Sequence, residues 1–197
     1  MSAEKTFDYI VVGAGSAGCV LASRLSEDPN ISVCLVEAGP PDRSPLIHIP
    51  IGIIKLVYWD KVNWRFMSKP QAKMNARPIY IPRGKTLGGT SSINAMVYMR
   101  GNPLDYDDWA AEGNAGWSWA DVKPYFIKAE RNEQYGDSEH HGSEGPLNVT
   151  FVNCTSPLEK EFVAAGESLQ YQHNPDFNGE TQDGIGQHQV TQKNGQR

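Results

Sequence analysis

The order of apolar and polar residues at the start of the chain predicts a strand, a helix and a second strand. Residues 7–12 form an apolar, β-branched run, which predicts a buried strand. Residues 17–26 carry apolar side chains at helical spacing, so a helix is expected there. A turn at residues 28–30 leads into a second apolar run at 31–36, which predicts the next strand.

Three glycines occupy the turn between the first predicted strand and the helix, with the spacing G-x-G-x-x-G. Gly13 would form the tight turn, Gly15 would let the backbone approach a pyrophosphate, and Gly18 would let the helix pack on the strand. The free N–H groups and the dipole of the helix N-terminus favour an anion at this place.

The end of the second predicted strand carries an acid, Glu37, 19 residues after Gly18. A carboxylate at this place can accept both hydroxyls of an adenosine ribose. The sequence therefore predicts a dinucleotide site. The alternative is a glycine-rich turn of an ordinary β–α–β unit, which leaves the combined spacing of glycines and acid unexplained.

A second glycine-rich stretch follows an irregular region. Residues 42–80 are apolar but interrupted by prolines, which predicts a packed loop region, with a lid over a cofactor as the alternative. Residues 79–81 predict a short extended piece. The loop after it is basic and rich in glycine, which makes it a candidate anion cradle, with a flexible surface turn as the alternative. Its residues are Arg83, Gly84, Lys85, Gly88 and Gly89.

Three hydroxyls end this loop, and they are expected to cap a helix over residues 93–99. They belong to Thr90, Ser91 and Ser92. The apolar residues that follow indicate that the turn is buried. A buried turn rich in hydroxyls needs hydrogen-bond partners, and a cofactor would supply them.

The remainder of the chain predicts a mixture of helices and strands. Helices are expected over residues 105–111, 125–131 and 158–169, and strands over 146–152 and 187–192. Ser118 and Asp121 have the spacing of a capping box. The polar stretch 132–145 predicts the domain division, with one domain over residues 1–140 and a second over 141–197. His140 and His141 lie in this stretch, and without further ligands at metal spacing they are expected to be solvated.

Composition narrows the function classes. The chain has 197 residues, 39% of them hydrophobic, and a net charge of −5, which argues against nucleic-acid binding. No run approaches the roughly 20 apolar residues of a membrane span, and the N-terminus lacks a signal-peptide core. Cys19, Cys34 and Cys154 have no metal spacing. Cys19 and Cys34 fall inside a predicted helix and strand, so buried, reduced thiols and a cytoplasmic location are expected.

The two glycine motifs together resemble the glucose–methanol–choline (GMC) oxidoreductases. The resemblance rests on the opening unit that ends in Val-Glu-Ala-Gly, on the stretch from Gly84 to Ala95, and on Arg100-Gly101. The sequence is most similar to the branch of choline dehydrogenase-like and aliphatic alcohol dehydrogenases, and the likeness runs through the whole chain. The second motif is far more specific to this family than the first.

The resemblance implies a set of residues that bind FAD. The pyrophosphate would meet Gly13, Ala14, Gly15, Ser16 and Ala17 at the turn completed by Gly18, and the adenosine ribose would meet Glu37. Arg83 and Gly84 would approach the cofactor. The flavin side would be lined by Leu87, Gly88, Gly89 and Ser92, and the isoalloxazine would run along Asn94, Ala95, Met96 and Val97. Some relatives bond the flavin covalently through a histidine just before that asparagine. This sequence has Ile93 there, so the expected FAD is non-covalent.

The implied fold is α/β, with a three-layer, Rossmann-like FAD-binding domain and the beginning of an α+β substrate-binding domain. Family members are much longer, and their catalytic histidine lies beyond Arg197, so no residue of this chain is predicted to be catalytic. An open sheet edge and an uncovered apolar face are expected in consequence.

The implied reaction is oxidation of a primary alcohol, of choline or aliphatic type, to the aldehyde. The electron acceptor, a quinone, a dye or oxygen, stays open, and so does contact with the inner face of a membrane. A C-terminal half of the same enzyme is an expected partner, and the fragment alone is expected to be inactive. The alternatives are a nicotinamide-dependent dehydrogenase and a non-catalytic nucleotide-binding module.

Overall fold

The structure, a computed structural model, describes residues 5–152 and 156–197. The chain forms two compact units. The first unit runs to Ala95 and includes Arg197, and the second runs from Met96 to Gln196. The domain division predicted at residue 140 stays a prediction.

The first unit begins with the predicted β–α–β arrangement, which is confirmed. Strand β1 spans Tyr9–Val12, helix α1 spans Ser16–Leu25, and strand β2 spans Val33–Val36. The two strands are parallel, with Tyr9 opposite Val33 and Val12 opposite Val36. This connection is the one that a crossover helix allows, since parallel neighbours cannot be joined by a tight hairpin.

The expectation that the first strand is buried is wrong, because Tyr9, Ile10 and Val12 are exposed and Val11 is half-buried. Ile10, Val12 and Val36 share the face of the sheet away from α1, and their exposed fractions are 64%, 83% and 46%. A two-stranded sheet has too few neighbours to cover both faces. The predicted uncovered apolar face is therefore present in the first unit.

The irregular region predicted over residues 42–80, with the loop that follows it, consists of short helices and one small antiparallel pair of strands. Its helices are α2 at Pro45–His48 and α3 at Ile53–Leu56, with 3₁₀ turns at Pro50–Gly52, Ala72–Met74 and Gly89–Ser92. Strands β3 (Phe66–Met67) and β4 (Tyr80–Ile81) pair antiparallel. A buried cluster of Ile47, Leu56, Val62 and Ile93 packs this region together. The predicted packed region is thus confirmed for these apolar residues, and the alternative of a lid over a cofactor stays a prediction.

The second unit combines three helices with a three-stranded sheet. The helices are α4 (Pro103–Ala111), α5 (Trp119–Ala129) and α6 (Pro157–Ser168). The strands are β5 (Glu130–Asn132), β6 (Leu147–Phe151) and β7 (Gln189–Val190), in that order across the sheet. Strands β5 and β6 are parallel, and β6 and β7 are antiparallel. The predicted capping box of Ser118 and Asp121 is present at the start of α5.

The helix predicted over residues 93–99 is absent. The chain leaves the 3₁₀ turn, Met96 adopts a left-handed backbone with φ of 62°, and Val97 pairs with Val190. The Tyr98 N–H donates to the Gln189 carbonyl at 2.8 Å. Pairing with a strand distant in sequence replaces the local hydrogen bonds that a helix would have made.

The burial of the thiols differs from the expectation. Cys19 and Cys34 are free thiols that are half-buried rather than fully buried, and Cys154 lies outside the described residues. Within residues 5–152 and 156–197, every helix is too short or too polar to cross a bilayer.

Candidate nucleotide-binding site

The first glycine turn has the backbone geometry that its motif predicts. Gly13 has φ of 96°, a left-handed value that favours glycine, and its N–H donates to the Val36 carbonyl at 2.7 Å. A Cβ atom on Gly18 would overlap the Gly13 carbonyl oxygen, so α1 can pack this closely only with glycine at that position. A Cβ atom on Gly15, by contrast, would meet no described atom within 4 Å.

The N-terminus of α1 has neither a capping side chain nor an acidic residue in its first turn. Gly15 is the N-cap and provides no side-chain hydrogen bond, and the first turn contains no acidic residue. Ser16 and Ala17 open the helix and are exposed. Backbone N–H groups and the positive end of the helix dipole therefore face open space, which suits a phosphate group.

Glu37 binds the glycine turn directly. One carboxylate oxygen accepts the Ala14 N–H at 2.8 Å, and the other accepts the Gly39 N–H at 2.9 Å. A carboxylate oxygen can accept more than one hydrogen bond, so both retain capacity for the hydroxyls of a ligand. Glu37 thus fixes the turn and still presents an acceptor beside it.

The second glycine loop lies against the first. The Gly88 N–H donates to the Ala14 carbonyl at 2.7 Å, and a Cβ atom built on Gly89 would lie 2.7 Å from the Gly15 Cα. The Thr86 hydroxyl donates to the Pro40 carbonyl at 2.7 Å. Residues that are far apart in sequence therefore form one surface within the first unit, as a single ligand spanning both loops would require.

The hydroxyls of the second loop bond within the loop itself. Ser91 donates to the Gly88 carbonyl at 2.7 Å and Ser92 to the Leu87 carbonyl at 2.7 Å, while Thr90 accepts the Gly84 N–H at 3.1 Å. The expectation that a cofactor must supply their partners is wrong, because short-range contacts satisfy them. Their role is to hold the shape of the turn.

The two cations of this loop differ in their surroundings. Arg83 is exposed, and its guanidinium donates to the neighbouring Pro82 carbonyl at 2.8 Å. The Lys85 ammonium lies 4.7 Å from the centre of the Trp64 ring, which is a cation–π contact. Arg83 is therefore the freer of the two to turn toward an anion.

Arg197 is a site residue that the sequence did not indicate. Its guanidinium donates to the Asn94 side-chain oxygen at 2.8 Å, to the Asn94 carbonyl at 2.7 Å and to the Ser91 carbonyl at 2.8 Å. Burial lowers the pKa of Arg197 from its ordinary value. It fixes the segment that carries Asn94 and Ala95, and no local pattern could have linked positions so distant in sequence.

The last two predicted cofactor residues lie at the start of the second unit. Met96 is buried and Val97 is 53% exposed. The Met96 carbonyl accepts the Thr191 N–H at 2.8 Å. The backbone of this segment is thus fixed by its pairing beside β7.

The expectation that His141 is a solvated loop residue is wrong, because it is 3% exposed. Its ring bonds two carboxylates, those of Glu130 and Asp176. Burial alone would lower the pKa of His141, but the hydrogen bonds and negative charges of Asp176 and Glu130 outweigh it and raise the pKa to about 9. His140 is partly exposed and lies 3.1 Å from the Lys123 ammonium.

A parallel β–α–β unit with a glycine turn, an open helix N-terminus and an acidic strand end is the arrangement of Rossmann-like α/β proteins. The family profile of the GMC oxidoreductases matches residues 7–197, and the chain belongs to that family.

Named relatives point to alcohol-oxidising enzymes. The chain is 52% identical over 191 residues to an "Alcohol dehydrogenase [acceptor]" from Pseudomonas putida, covering 97% of this chain and 35% of the relative. It is 44% identical to the mitochondrial choline dehydrogenase of Mus musculus, covering 97% of this chain and 33% of the relative. The chain therefore spans about a third of the length of these curated relatives.

Solved structures agree with this assignment of the fold. The pyridoxine 4-oxidase from "Mesorbium loti" superposes with a TM-score of 0.90 at 34% identity, over 98% of this chain and 38% of that one. The formate oxidase of Aspergillus oryzae, whose study concerns FAD modification, superposes with a TM-score of 0.87 at 28% identity, over 97% and 35%.

Proposed function

We propose that this chain supplies the nucleotide-holding part of an FAD-dependent oxidoreductase that oxidises a primary alcohol, of choline or aliphatic type, to the aldehyde. Membership of the GMC family and the names of the relatives support the reaction class. The observation that carries the proposal is the contact between the two glycine loops, through Gly88 and Ala14 and through Gly89 and Gly15.

Each loop has a separate role in this proposal. The turn from Gly13 to Ala17 takes the pyrophosphate on backbone N–H groups, and Glu37 accepts the ribose hydroxyls. Arg83 adds a positive charge beside the phosphates. The flavin side is formed by Gly84, Leu87, Gly88, Gly89, Ser92, Asn94, Ala95, Met96 and Val97.

The empty space at Gly15 supports the fit of these residues to the cofactor. A Cβ atom there meets no described atom within 4 Å, as is also true at Gly13, whereas Gly18 and Gly89 are closely packed. Space of this kind in front of a helix N-terminus is what a pyrophosphate would need for a close approach to the backbone.

When bound, FAD would supply the two-electron oxidation chemistry, with flavin N5 as the proposed acceptor of hydride from the alcohol carbon. The residues of this chain bind and orient it. Ile93 is 1% exposed and belongs to the apolar core. Because its side chain has no nucleophilic atom, non-covalent binding is expected. The base that takes the hydroxyl proton is not assigned to any residue of this chain.

The first test is Gly15→Ala. The backbone φ of −77° suits alanine, so we expect little change in melting temperature. Affinity for FAD should fall about tenfold or more, since the new methyl occupies the proposed phosphate space. Quenching of flavin fluorescence on titration measures this affinity.

The control is Ser23→Ala at the exposed end of the same helix, which should bind FAD as the unchanged chain does. Wild-type affinity in Gly15→Ala would exclude the pyrophosphate from this turn.

A second test separates the alternatives. Bound flavin absorbs in the blue region, whereas a nicotinamide dinucleotide does not, so the visible spectrum of the loaded chain distinguishes the two cofactors.

Fusing residues 1–197 to the remaining length of the Pseudomonas putida relative should give alcohol-dependent dye reduction. A fusion that holds FAD but reduces no dye with any alcohol would support the non-catalytic module instead.

The electron acceptor and the location belong to the same proposal. An oxygen-dependent choline dehydrogenase from Vibrio vulnificus is 43% identical to this chain, covering 35% of that relative. Comparing the fusion with and without air distinguishes oxygen from a quinone or dye. Sedimentation with liposomes tests for peripheral contact with a membrane surface.

A further inference from the structure

The second unit contains a buried network of charges that the proposed function does not use. Arg100 bonds Glu130 at 2.5 Å, between side chains that are 1% and 0% exposed. The His141 Nδ1 atom lies 2.9 Å from one oxygen of Glu130 and 3.1 Å from the other. The His141 Nε2 atom lies 2.8 Å from an oxygen of Asp176, whose side chain is 19% exposed.

The network balances its charges only if His141 is an imidazolium. Two carboxylates face one guanidinium, so a neutral ring would leave one negative charge uncompensated in the interior. Both ring nitrogens face carboxylate oxygens, and only the imidazolium can donate from both. The Asn132 amide nitrogen lies 3.0 Å from Nδ1, but it already donates to Glu130 and Gln189 at 2.9 Å.

Among the described residues, the other groups around the ring provide no substitute positive charge. The Tyr135 ring packs at 5.6 Å from His141, and its hydroxyl donates to the Pro175 carbonyl. The Gly142 N–H donates to Glu130 at 3.3 Å. From β7, Gln189 contributes only an amide. Arg100 and His141 are thus the cations that compensate the two acids.

One route connects this network to Met96 and Val97 through β7. The Asn132 and Gln189 side chains exchange two hydrogen bonds, of 2.9 and 3.0 Å. The Gln189 carbonyl accepts the Tyr98 N–H at 2.8 Å, and Val190 pairs with Val97. A shift of β5 would therefore be transmitted to the segment beside β7.

A second route runs through the other end of the same segment. The Asp176 carboxylate accepts the Asn178 N–H at 3.0 Å. The Asn178 side chain then accepts the Arg100 N–H at 2.8 Å and donates to the Tyr98 carbonyl at 3.2 Å. Residues 96–100 are in this way held from both ends by groups that bind His141 or its partners.

We propose that His141 is a positioning residue. Its imidazolium joins β5, the Asp176 loop and β7, and thereby fixes the backbone of Met96 and Val97. Only the last step, in which these two residues face a flavin, rests on the proposed function.

The test uses the chain without cofactor and the variant His141→Gln. Gln keeps one donor but carries no charge. Amide hydrogen exchange should become about tenfold faster or more at Tyr98 and Thr191, while amides of α6 keep their protection. Unchanged exchange at Tyr98 and Thr191 would overturn the proposal. An equal increase throughout α6 would also overturn it, since that result indicates a general loss of stability.

The matched control is His173→Gln. His173 also lies 2.9 Å from a glutamate, Glu167, but its side chain is 54% exposed. Exchange at Tyr98 and Thr191 should not change in this variant. If His141→Gln does not fold, the unchanged chain is titrated instead, with the imidazole signals of His141 followed by NMR.

In that titration, exchange at Tyr98 and Thr191 should exceed the intrinsic rise with pH as the His141 ring loses its proton. Exchange that follows only the intrinsic rise would contradict the proposal.

Titration with FAD then separates this proposal from the proposed function. If the chain binds FAD, His141→Gln should weaken binding and change the shape of the visible flavin band, and His173→Gln should do neither. A chain that binds no FAD would contradict the proposed function and leave the exchange result to decide the role of His141. Normal flavin spectra in His141→Gln, together with faster exchange, would remove the step to the cofactor.

Discussion

Single glycines determine how closely the two loops of the candidate site approach each other. Gly89 has φ of 56°, and a Cβ atom there would lie 2.7 Å from the Gly15 Cα. Gly15 has an ordinary φ and open space before it. Adding one methyl group therefore has different consequences at two positions that touch: at Gly89 it disturbs the protein, and at Gly15 it fills the space proposed for the pyrophosphate.

The corresponding prediction is that Gly89→Ala destabilises the first unit. A strained left-handed backbone and an overpacked contact together should cost about 1–3 kcal/mol. The decrease in the free energy of unfolding can be measured in urea, with Gly15→Ala as the matched control. Equal stability of the two variants would contradict the contact between the loops.

At the scale of single residues, the sequence predicts the features that depend on the spacing of residues close together in the chain. The spacing of Gly13, Gly15 and Gly18 and the acid at Glu37 indicate the turn, because each acts on neighbours a few residues away or across one crossover. Arg197 and the burial of His141 could not be predicted in this way. Their partners, Asn94 and Asp176, are brought near by tertiary folding.

Helices and strands of this protein are stabilised by capping groups and by hydrogen bonds to distant residues more than by their own length. The Ser118 hydroxyl accepts the Asp121 N–H, and the Ser118 N–H donates to the Asp121 carboxylate at 3.2 Å. These bonds satisfy donors at the start of α5, which also contains Pro124. These hydrogen bonds can be predicted from the sequence, because a capping box involves only four consecutive residues.

We therefore expect Ser118→Ala to destabilise the second unit by about 1 kcal/mol, the usual cost of losing an N-cap. Unfolding in urea measures the loss. Ser168→Ala, which removes an exposed hydroxyl from the last turn of α6, should stay within about 0.5 kcal/mol of the unchanged chain. A larger effect in the control than in Ser118→Ala would contradict the role of the cap.

The buried charges should make the stability of the second unit depend on pH. The pKa of His141 is raised to about 9, so its contribution is complete below about pH 6.5 and is lost as pH rises through about 9. Burial raises the pKa of Glu130 and of Asp176, but bonds from His141 and other groups lower both overall. Their contributions are present above their ordinary values and lost in acid.

Urea unfolding followed by tryptophan fluorescence should thus show greatest stability between about pH 4.5 and 6.5. In His141→Gln, the decline between about pH 6.5 and 9 should be much smaller. An identical alkaline decline in the variant would mean that another group causes it.

The elements that the sequence mispredicts are those where tertiary pairing overrides local preference. Residues 93–99 carry an apolar pattern behind candidate caps, yet Val97 pairs with Val190 and the helix does not form. The β-branched residues of strand β1 predict burial, but Val11 is half-buried and the other three residues of the strand are exposed. Local patterns report propensity and amphipathicity, whereas burial depends on which neighbours are present.

At the scale of the whole chain, a wide apolar surface is left open in the first unit. Ile10, Val12 and Val36 form it on the face of the sheet away from α1, and on α1 itself Val20 and Leu21 are also exposed, at 59% and 54%. Contiguous apolar surface of this kind attracts other apolar surfaces.

For the chain Met1–Arg197 by itself, we expect binding of an apolar fluorescent dye and self-association that increases with concentration. Val12→Thr should reduce both, because it makes the most exposed part of this surface more polar. Ser23→Ala, at an exposed polar residue of α1, is the control and should change neither. A strictly monomeric chain that binds no dye would contradict this expectation.

The bond between the Gly88 N–H and the Ala14 carbonyl has a consequence for the order of folding. The pocket cannot exist until a long loop of chain has closed, and closing such a loop is slow compared with forming a helix or a tight turn. Nucleotide should therefore be captured late, by chains that are already nearly native. Added nucleotide should therefore slow unfolding of the native chain. In refolding experiments, it should leave the early rate of collapse unchanged.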